Sequence, residues 1–469
     1  MNKKPLLYPP DTFKETIKTI WNTPNLFLLA STNCLEWIDM YVFIHCAALF
    51  ASVFAPQELQ NQLGVILMNI LLVGTSLSAM LLGLIADKFG RRIPLLATAF
   101  GVFLLTAVLI IAPTYQQAGI WAFILFLGIR ILISLIISGE SILANVYAFE
   151  SSKTYQQTCL TVPLMDLTEN IAGMLVLLAS TYLLSLSFLT EETIVRIILT
   201  ALVICFIIIL FNRQRLKESR QFLAERDLVE NKEIFFNKTY RLSTIIKNEK
   251  INILKECLLY LGIRLTYPVA FLIVYIHTQE ILKERCGFTL TEIFIHNFYV
   301  LVGEATYLII SSIIFFFLET QKQISRKTSS LFIVLTVPTT GCALFYTYLS
   351  TATHINSIVI GVFQVCMLCL CTSVMMGQFL INFPTIGRGR FSTITWGVAR
   401  IFVTLIPINI VTILKHQYND YSYILVFFIP LFIHIISIYH SREPTSTETL
   451  LRFGNGRYVA LKRHFSKED

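Results

Sequence analysis

The sequence predicts an all-α membrane protein of twelve transmembrane helices arranged as two sets of six. Three observations carry this. Apolar residues come in long blocks, Lys and Arg gather on one side of an alternating topology, and one long polar stretch divides the chain near its middle.

The 469 residues are 55% hydrophobic and 14% charged, with a mean hydropathy of +0.68. A soluble domain cannot hold that ratio, because its surface needs polar cover. Uncharged apolar runs of about 18 residues or more cross the hydrocarbon as helices, and Leu63 to Ala86 and Ile93 to Ala112 are two such runs. Read this way, the spans fall at about 26–54, 63–86, 93–112, 119–149, 159–188, 193–211, 252–281, 289–318, 328–350, 354–382, 390–414 and 420–441. The longest imply tilt or extension beyond the hydrocarbon.

Orientation follows from the cationic residues. If the N-terminus is inside, the inner segments hold most of the 37 Lys and Arg, while the outer loops hold only Lys283, Arg285 and Lys415. One missed helix would invert everything after it, so the asymmetry also checks the span count. The expected organisation is a cytoplasmic N-terminus (1–25), a six-helix bundle (26–211), a cytoplasmic linker (212–250), a second six-helix bundle (251–441) and a cytoplasmic tail (442–469). The first 25 residues carry Lys3, Lys4, Lys14 and Lys18 and no apolar core before Asn25. The first span is therefore expected to act as its own insertion signal. The linker, with Arg213, Arg215, Lys217, Glu218 and Arg220, reads either as an amphipathic helix on the inner face or as a solvated connection. The net charge of +8 is mostly this inner excess and does not argue for nucleic acid. The cysteines Cys366, Cys369 and Cys371 sit within a span without acidic or histidine companions and read as packing residues.

Between spans two and three runs Gly83-Leu-Ile-Ala-Asp87-Lys88-Phe-Gly90-Arg91-Arg92. Gly83 lets two helices approach closely, Gly90 allows a tight turn, and Asp87 can accept backbone N–H groups at a neighbouring helix N-terminus. Arg91 and Arg92 can pair with carboxylates at other inner helix ends, such as Glu150. Such a cluster suits a gate; as an alternative, the charges only anchor the loop to anionic lipid. A worn copy, Lys322-Gln-Ile-Ser325-Arg326-Lys327, stands half a chain later between spans eight and nine.

This decapeptide is similar, at every fixed position, to the G-x-x-x-D-(R/K)-x-G-R-(R/K) signature of the major facilitator superfamily. Further segments resemble its metabolite–proton symporters, which carry proline, betaine, α-ketoglutarate, citrate or shikimate. They are Asn33-Cys-Leu-Glu36-Trp37-Ile-Asp39-Met-Tyr41 in span one, Arg130 with Glu140 and Glu150 in span four, and Phe383-Pro384-Thr385 followed by Arg388 after span ten. Ser134 and Ser138 depart from two glycines of that pattern, and Thr32 from a third. The resemblance implies the major facilitator fold, with two pseudo-symmetric bundles and Asp87 and Arg91 at a contact between spans two and eleven near Gly389 to Ser392. It also implies a monomer in a bacterial cytoplasmic membrane, working by alternating access with a small-molecule substrate and a proton, and no cofactor.

A charge at the bilayer centre costs on the order of 2.5–3.5 kcal/mol even on lenient scales. Glu36, Asp39, Arg130, Glu140, Asp166, Glu169, Arg264, Glu304 and Arg400 all fall within spans, so each needs a reason. Glu36 and Asp39 share a helix face. In the related carriers a span-one acid faces a span-four arginine, which implies that Asp39 pairs with Arg130 for proton coupling, with Glu36 as a second candidate. Arg130, Arg264 and Arg400 are candidate substrate groups, since guanidinium grips carboxylate by two hydrogen bonds, and Glu140 is a further candidate. Arg264 and Arg400 equally suit pairing with Glu304 or a place near a helix end. Tyr267 and Trp396 are candidate cavity residues, though either also suits plain packing.

The chain contains no G-K-(S/T) phosphate loop, no H-E-x-x-H and no nucleophile elbow, so an enzyme is not expected. Proton-coupled uptake of a small carboxylate or zwitterion leads. The alternatives are a sugar or neutral-solute carrier or exporter, to which the Glu218-Ser219-Arg220-Gln-Phe222-Leu223 stretch is faintly similar, and a transporter-like nutrient receptor.

Overall fold

A computed structural model describes residues 12–60, 63–137, 140–152, 155–186, 188–219, 222–223, 252–321, 326–351, 357–369, 373–383, 385–405 and 421–441. Among these residues there are only helices and the turns that join them. Eight helices among them are long and apolar enough to cross a membrane. They are Pro24–His45, Arg92–Ile111, Ile120–Ser151, Gln157–Ser185, Glu191–Arg215, Ile253–Tyr275, Leu290–Leu318 and Ser329–Thr347. Leu63–Phe89, Ser357–Leu368 with Ser373–Leu380, Thr385–Leu405 and Tyr421–His440 occupy the places expected for spans two, ten, eleven and twelve.

Several boundaries differ from expectation, for local reasons. Span six continues to Arg215, because Arg213 is buried and donates to the Leu95 carbonyl of span three instead of entering a linker. Span eleven begins at Thr385 rather than 390, since Arg388 and Arg390 are held by carboxylates of the other half. Span seven is not one uniform helix. A five-residue π turn, Ile273–His277, interrupts it, and the Thr278 hydroxyl donates to the Ile273 carbonyl at 2.6 Å, so the side chains on either side of the turn are rotated relative to one another. Ahead of span one, Phe13–Trp21 forms a short helix whose N-terminus is closed by a Thr12–Glu15 capping box. The Glu15 N–H donates to Thr12 and the Glu15 carboxylate takes the Thr12 N–H, which satisfies two otherwise unpaired donors. The Lys322–Ser325 part of the worn motif and the linker beyond Leu223 lie outside the described residues.

Spans one to six pack mainly on each other, as do spans seven to twelve, and the halves meet chiefly where span two runs along span eleven and span five along span eight. Small residues permit the first approach. A Cβ on Gly397 would stand 2.6 Å from the Ser76 carbonyl, and one on Gly83 would stand 1.8 Å from the Thr393 hydroxyl and 3.0 Å from the Arg390 Cα. Without a hydrophobic drive between helices in lipid, such backbone proximity supplies the van der Waals contact that holds them together. Gly341 serves spans nine and ten in the same way, packed on Cys366, while Cys371 lies outside the described residues.

Candidate functional site

The inner end, named for the orientation that Lys and Arg imply, is built on the turn after span two. Gly90 ends helix Leu63–Phe89 at φ +94° and its N–H returns to the Ala86 carbonyl at 3.1 Å, a left-handed C-cap that a side chain would strain. The turn aims Arg91 inward. Its guanidinium donates to Asp87 at 3.2 Å and to Glu150 of span four at 3.0 Å, with all three side chains buried. Burial acts to lower Arg91, yet Glu150 and Asp87 beside it outweigh that and hold its pKa above the ordinary value. Arg91 is therefore a permanent cation.

The second half enters the same cluster. Arg388 donates to Glu150 Oε1 at 3.2 Å, and the Arg390 backbone N–H to Asp87 Oδ2 at 3.1 Å. The segment after span six closes it. The Ser219 hydroxyl reaches Glu150 Oε2 at 2.5 Å, Glu218 takes the Arg92 N–H at 3.1 Å at the start of span three, and Phe222 lies 4.4 Å beneath the Arg91 guanidinium. Arg92 donates to the Gln214 carbonyl at 2.6 Å rather than to a carboxylate. Lys88, grouped with these in the sequence, instead stays exposed over the ring of Phe89. On a helix end it points away from the contact.

Within the first half, Asp39 of span one and Arg130 of span four meet at 3.3 Å and 3.4 Å, both buried. These bonds are longer than the 2.7–2.9 Å of a tight charge-assisted pair. The ring of Phe43 lies 3.3 Å from the Arg130 guanidinium. The side chains of Glu36 and Glu140 lie outside the described residues.

Between the halves, Tyr267 of span seven donates to Glu169 of span five at 2.9 Å, and Arg400 of span eleven donates to the Thr75 hydroxyl of span two at 2.7 Å. Arg264 does not pair with Glu304; it donates to the Tyr260 hydroxyl at 3.1 Å and lies 4.8 Å over the ring of Trp396, which Arg400 also covers at 4.7 Å. Helix geometry explains that choice. Tyr260 is one turn before Arg264, and Trp396 one turn before Arg400. A small cavity of about 20 Å³ is lined by Trp37, Tyr267, Phe271, Trp396 and Arg400 among others, enough for one or two waters. Toward the outer end Tyr41 stacks on His45 at 5.6 Å, and His45 meets Tyr275 at 5.6 Å and Phe294 at 6.2 Å. A charged cluster thus stands at the inner ends of the spans and an aromatic one toward their outer ends.

Sequence reasoning missed Arg388, Glu218 and Ser219 as members of the inner cluster, Glu169 as the partner of the cavity residue Tyr267, and the half-buried Asp166 and buried Glu304 as acids with a part near the site. For the last three the signal existed, since each is an acid inside a span. For Ser219 no signal existed.

No protein-family model matches the chain. It is 29% identical over 166 residues to a putative proline/betaine transporter of Staphylococcus aureus, 34% of each chain. It is 31% identical over 134 residues to the alpha-ketoglutarate permease of Escherichia coli, 28% of this chain and 30% of that one. The matched stretch therefore spans about a third of those relatives. Among solved structures, the proton:xylose symporter XylE, known from E. coli, superposes with a TM-score of 0.69 at 15% identity, covering 93% of this chain and all of that one. The human organic anion transporter MFSD10 superposes with a TM-score of 0.56 at 14% identity, covering 88% and 99%. The fold is that of the major facilitator superfamily.

Proposed function

We propose that this chain is a secondary active transporter, not an enzyme, which takes up a small carboxylate or zwitterionic metabolite together with protons by alternating access. The observation that carries the reading is the buried Asp39–Arg130 pair within a major facilitator scaffold. Protonating Asp39 removes the charge that holds Arg130. The guanidinium can then turn to an anionic group of the substrate, so proton and solute binding favour each other without any covalent step. Arg400 and Arg264 supply further cationic groups from the second half, Tyr267 and Trp396 shape the cavity between them, and Glu140 and Glu36 stand as further candidates from their place in the sequence.

The inner cluster of Asp87, Arg91, Glu150 and Arg388 acts as the gate, with Gly83 and Gly90 supplying the close approach and the turn. It joins both halves when the inner side is shut and has to break when they rock apart. The protein works as a monomer in a bacterial cytoplasmic membrane, both termini inside. Similarity to a putative proline/betaine transporter and to an alpha-ketoglutarate permease supports the substrate range.

The test is uptake into proteoliposomes of the purified full chain under an imposed proton gradient. Accumulation of a small acid or zwitterion that collapses with the gradient is expected. Accumulation indifferent to the gradient, or binding with no flux, overturns the reading in favour of a uniporter or a receptor.

A further inference from the structure

Around Trp396, which lines the cavity, and on the spans that pack near it lie buried polar atoms that find no hydrogen-bond partner among the described residues. Two are donors: Arg264 Nη2 of span seven and Trp396 Nε1 of span eleven. Two are acceptors: Glu304 Oε2 of span eight and Asn145 Oδ1 of span four. All four residues are at most 6% exposed. Buried polar groups are ordinarily paired, and a buried group left unpaired calls for an explanation. Here the four come from four different spans, which the following contacts link. Arg264 lies over Trp396. Trp396 packs in one small cluster with Ile142, one turn from Asn145 on span four. Asn145 donates through its amide nitrogen to Asp166 of span five at 3.4 Å, and span five, which also carries Glu169, packs along span eight, which carries Glu304.

We propose that Arg264 with Trp396, and Glu304 with Asn145, form the two ends of one subsite for a zwitterion that carries a carboxylate and an ammonium group with N–H bonds to give, as an amino acid does. The proposal rests on the transport reading and narrows it. The donor end lacks only acceptors, which a carboxylate supplies in pairs. The acceptor end lacks only donors, which an N–H-bearing ammonium supplies. Two guanidiniums, those of Arg264 and Arg400, stand at Trp396, and spans five and eight carry three carboxylates, Asp166, Glu169 and Glu304. A dicarboxylate would bring its second anion against those acids. A quaternary ammonium would meet them but leave Glu304 Oε2 and Asn145 Oδ1 without a hydrogen.

The experiment uses the full chain, purified and reconstituted, with the twenty common amino acids as probes. For each that binds, its deaminated acid, its decarboxylated amine and its N-trimethylated form are compared, together with 2-oxoglutarate and succinate. Binding of at least one amino acid is expected, with each one-ended or quaternary analogue weaker by about tenfold or more, because a site built to hydrogen-bond a group rejects the analogue that lacks it. Glu304→Gln is expected to weaken the amino acid while leaving the deaminated acid unchanged, and Arg264→Gln to weaken both. If Glu304→Gln does not fold, the comparison on the unmodified protein decides alone. The proposal is overturned, and transport left standing, if dicarboxylates or quaternary solutes are carried and no amino acid is, or if the deaminated acid binds as well as its parent. If the unmodified chain neither binds nor moves any solute, both readings fail together.

Discussion

Glu150 of span four and Arg388 of span eleven are joined at 3.2 Å across the two halves of the molecule, and both side chains are fully buried. The same carboxylate oxygen takes a second guanidinium, that of Arg91 at 3.0 Å, while its other oxygen takes the Ser219 hydroxyl at 2.5 Å. One residue therefore ties together three segments that are remote in the chain. A buried carboxylate holding two guanidiniums is stabilising only while complete, since the loss of one member leaves the rest buried and uncompensated.

Glu150→Gln is accordingly expected to be the most damaging single change at the inner end. It leaves Arg91 and Arg388 without their shared anion, a loss on the order of 3–5 kcal/mol for a broken buried pair. Thermal unfolding in detergent checks this. A melting temperature equal to that of the unmodified chain would show that the ion pairs contribute nothing net.

Asp87→Asn keeps the shape but removes the charge that receives Arg91 and the Arg390 N–H. Hydrogen bonds to charged groups contribute roughly 1.5–3 kcal/mol, so the closed inner state should lose about a factor of ten or more in population. Expression should survive while accumulation against a gradient falls. Unchanged accumulation at equal expression means the cluster is not a gate.

Gly83→Ala places a methyl 1.8 Å from the Thr393 hydroxyl and 3.0 Å from the Arg390 Cα and the Gly389 carbonyl. The hydroxyl can rotate away, but the backbone cannot, so span eleven must shift at a cost of about 1–3 kcal/mol. Faster hydrogen–deuterium exchange in the first turns of span eleven is the expected result. Exchange identical to the unmodified protein counts against a tight contact at this position.

Asp39→Asn imitates the protonated acid permanently. Uptake driven by a pH gradient should vanish, while substrate binding or exchange persists in part. Arg130→Ala should do more harm, because it leaves Asp39 buried without its partner and removes the proposed substrate anchor. Arg130→Lys should restore only part of the activity, since a lysine cannot present two parallel donors. Concentrative uptake by Asp39→Asn would move the coupling role elsewhere, with Glu36, one turn away, tested next.

Much of the fold was legible. Spans two and eight read as long apolar runs because a helix in lipid has to be apolar around most of its circumference, a property carried by adjacent residues. The turn at Gly90 was legible for the same local reason. Its glycine, the preceding acid and the following arginines lie within ten residues, and their geometry needs no distant partner. Span seven was read as continuous, whereas its π turn at Ile273–His277 depends on what the helix packs against. The start of span eleven moved because the anions that hold Arg388 and Arg390 belong to spans two and four.

By itself, then, the sequence determined where chain enters the apolar phase, which acids and bases have to be housed there, and which loop carries the gate-like turn. Those properties are set by neighbouring residues and by the cost of placing charge or unpaired backbone in lipid. Only the tertiary structure decided partnership. It set Arg388 and Ser219 on Glu150, Tyr267 on Glu169, and Arg264 on Trp396 rather than on Glu304. These partners lie on different helices, and helix rotation and crossing, which are fixed by small residues such as Gly83 and Gly397, determine which side chains meet.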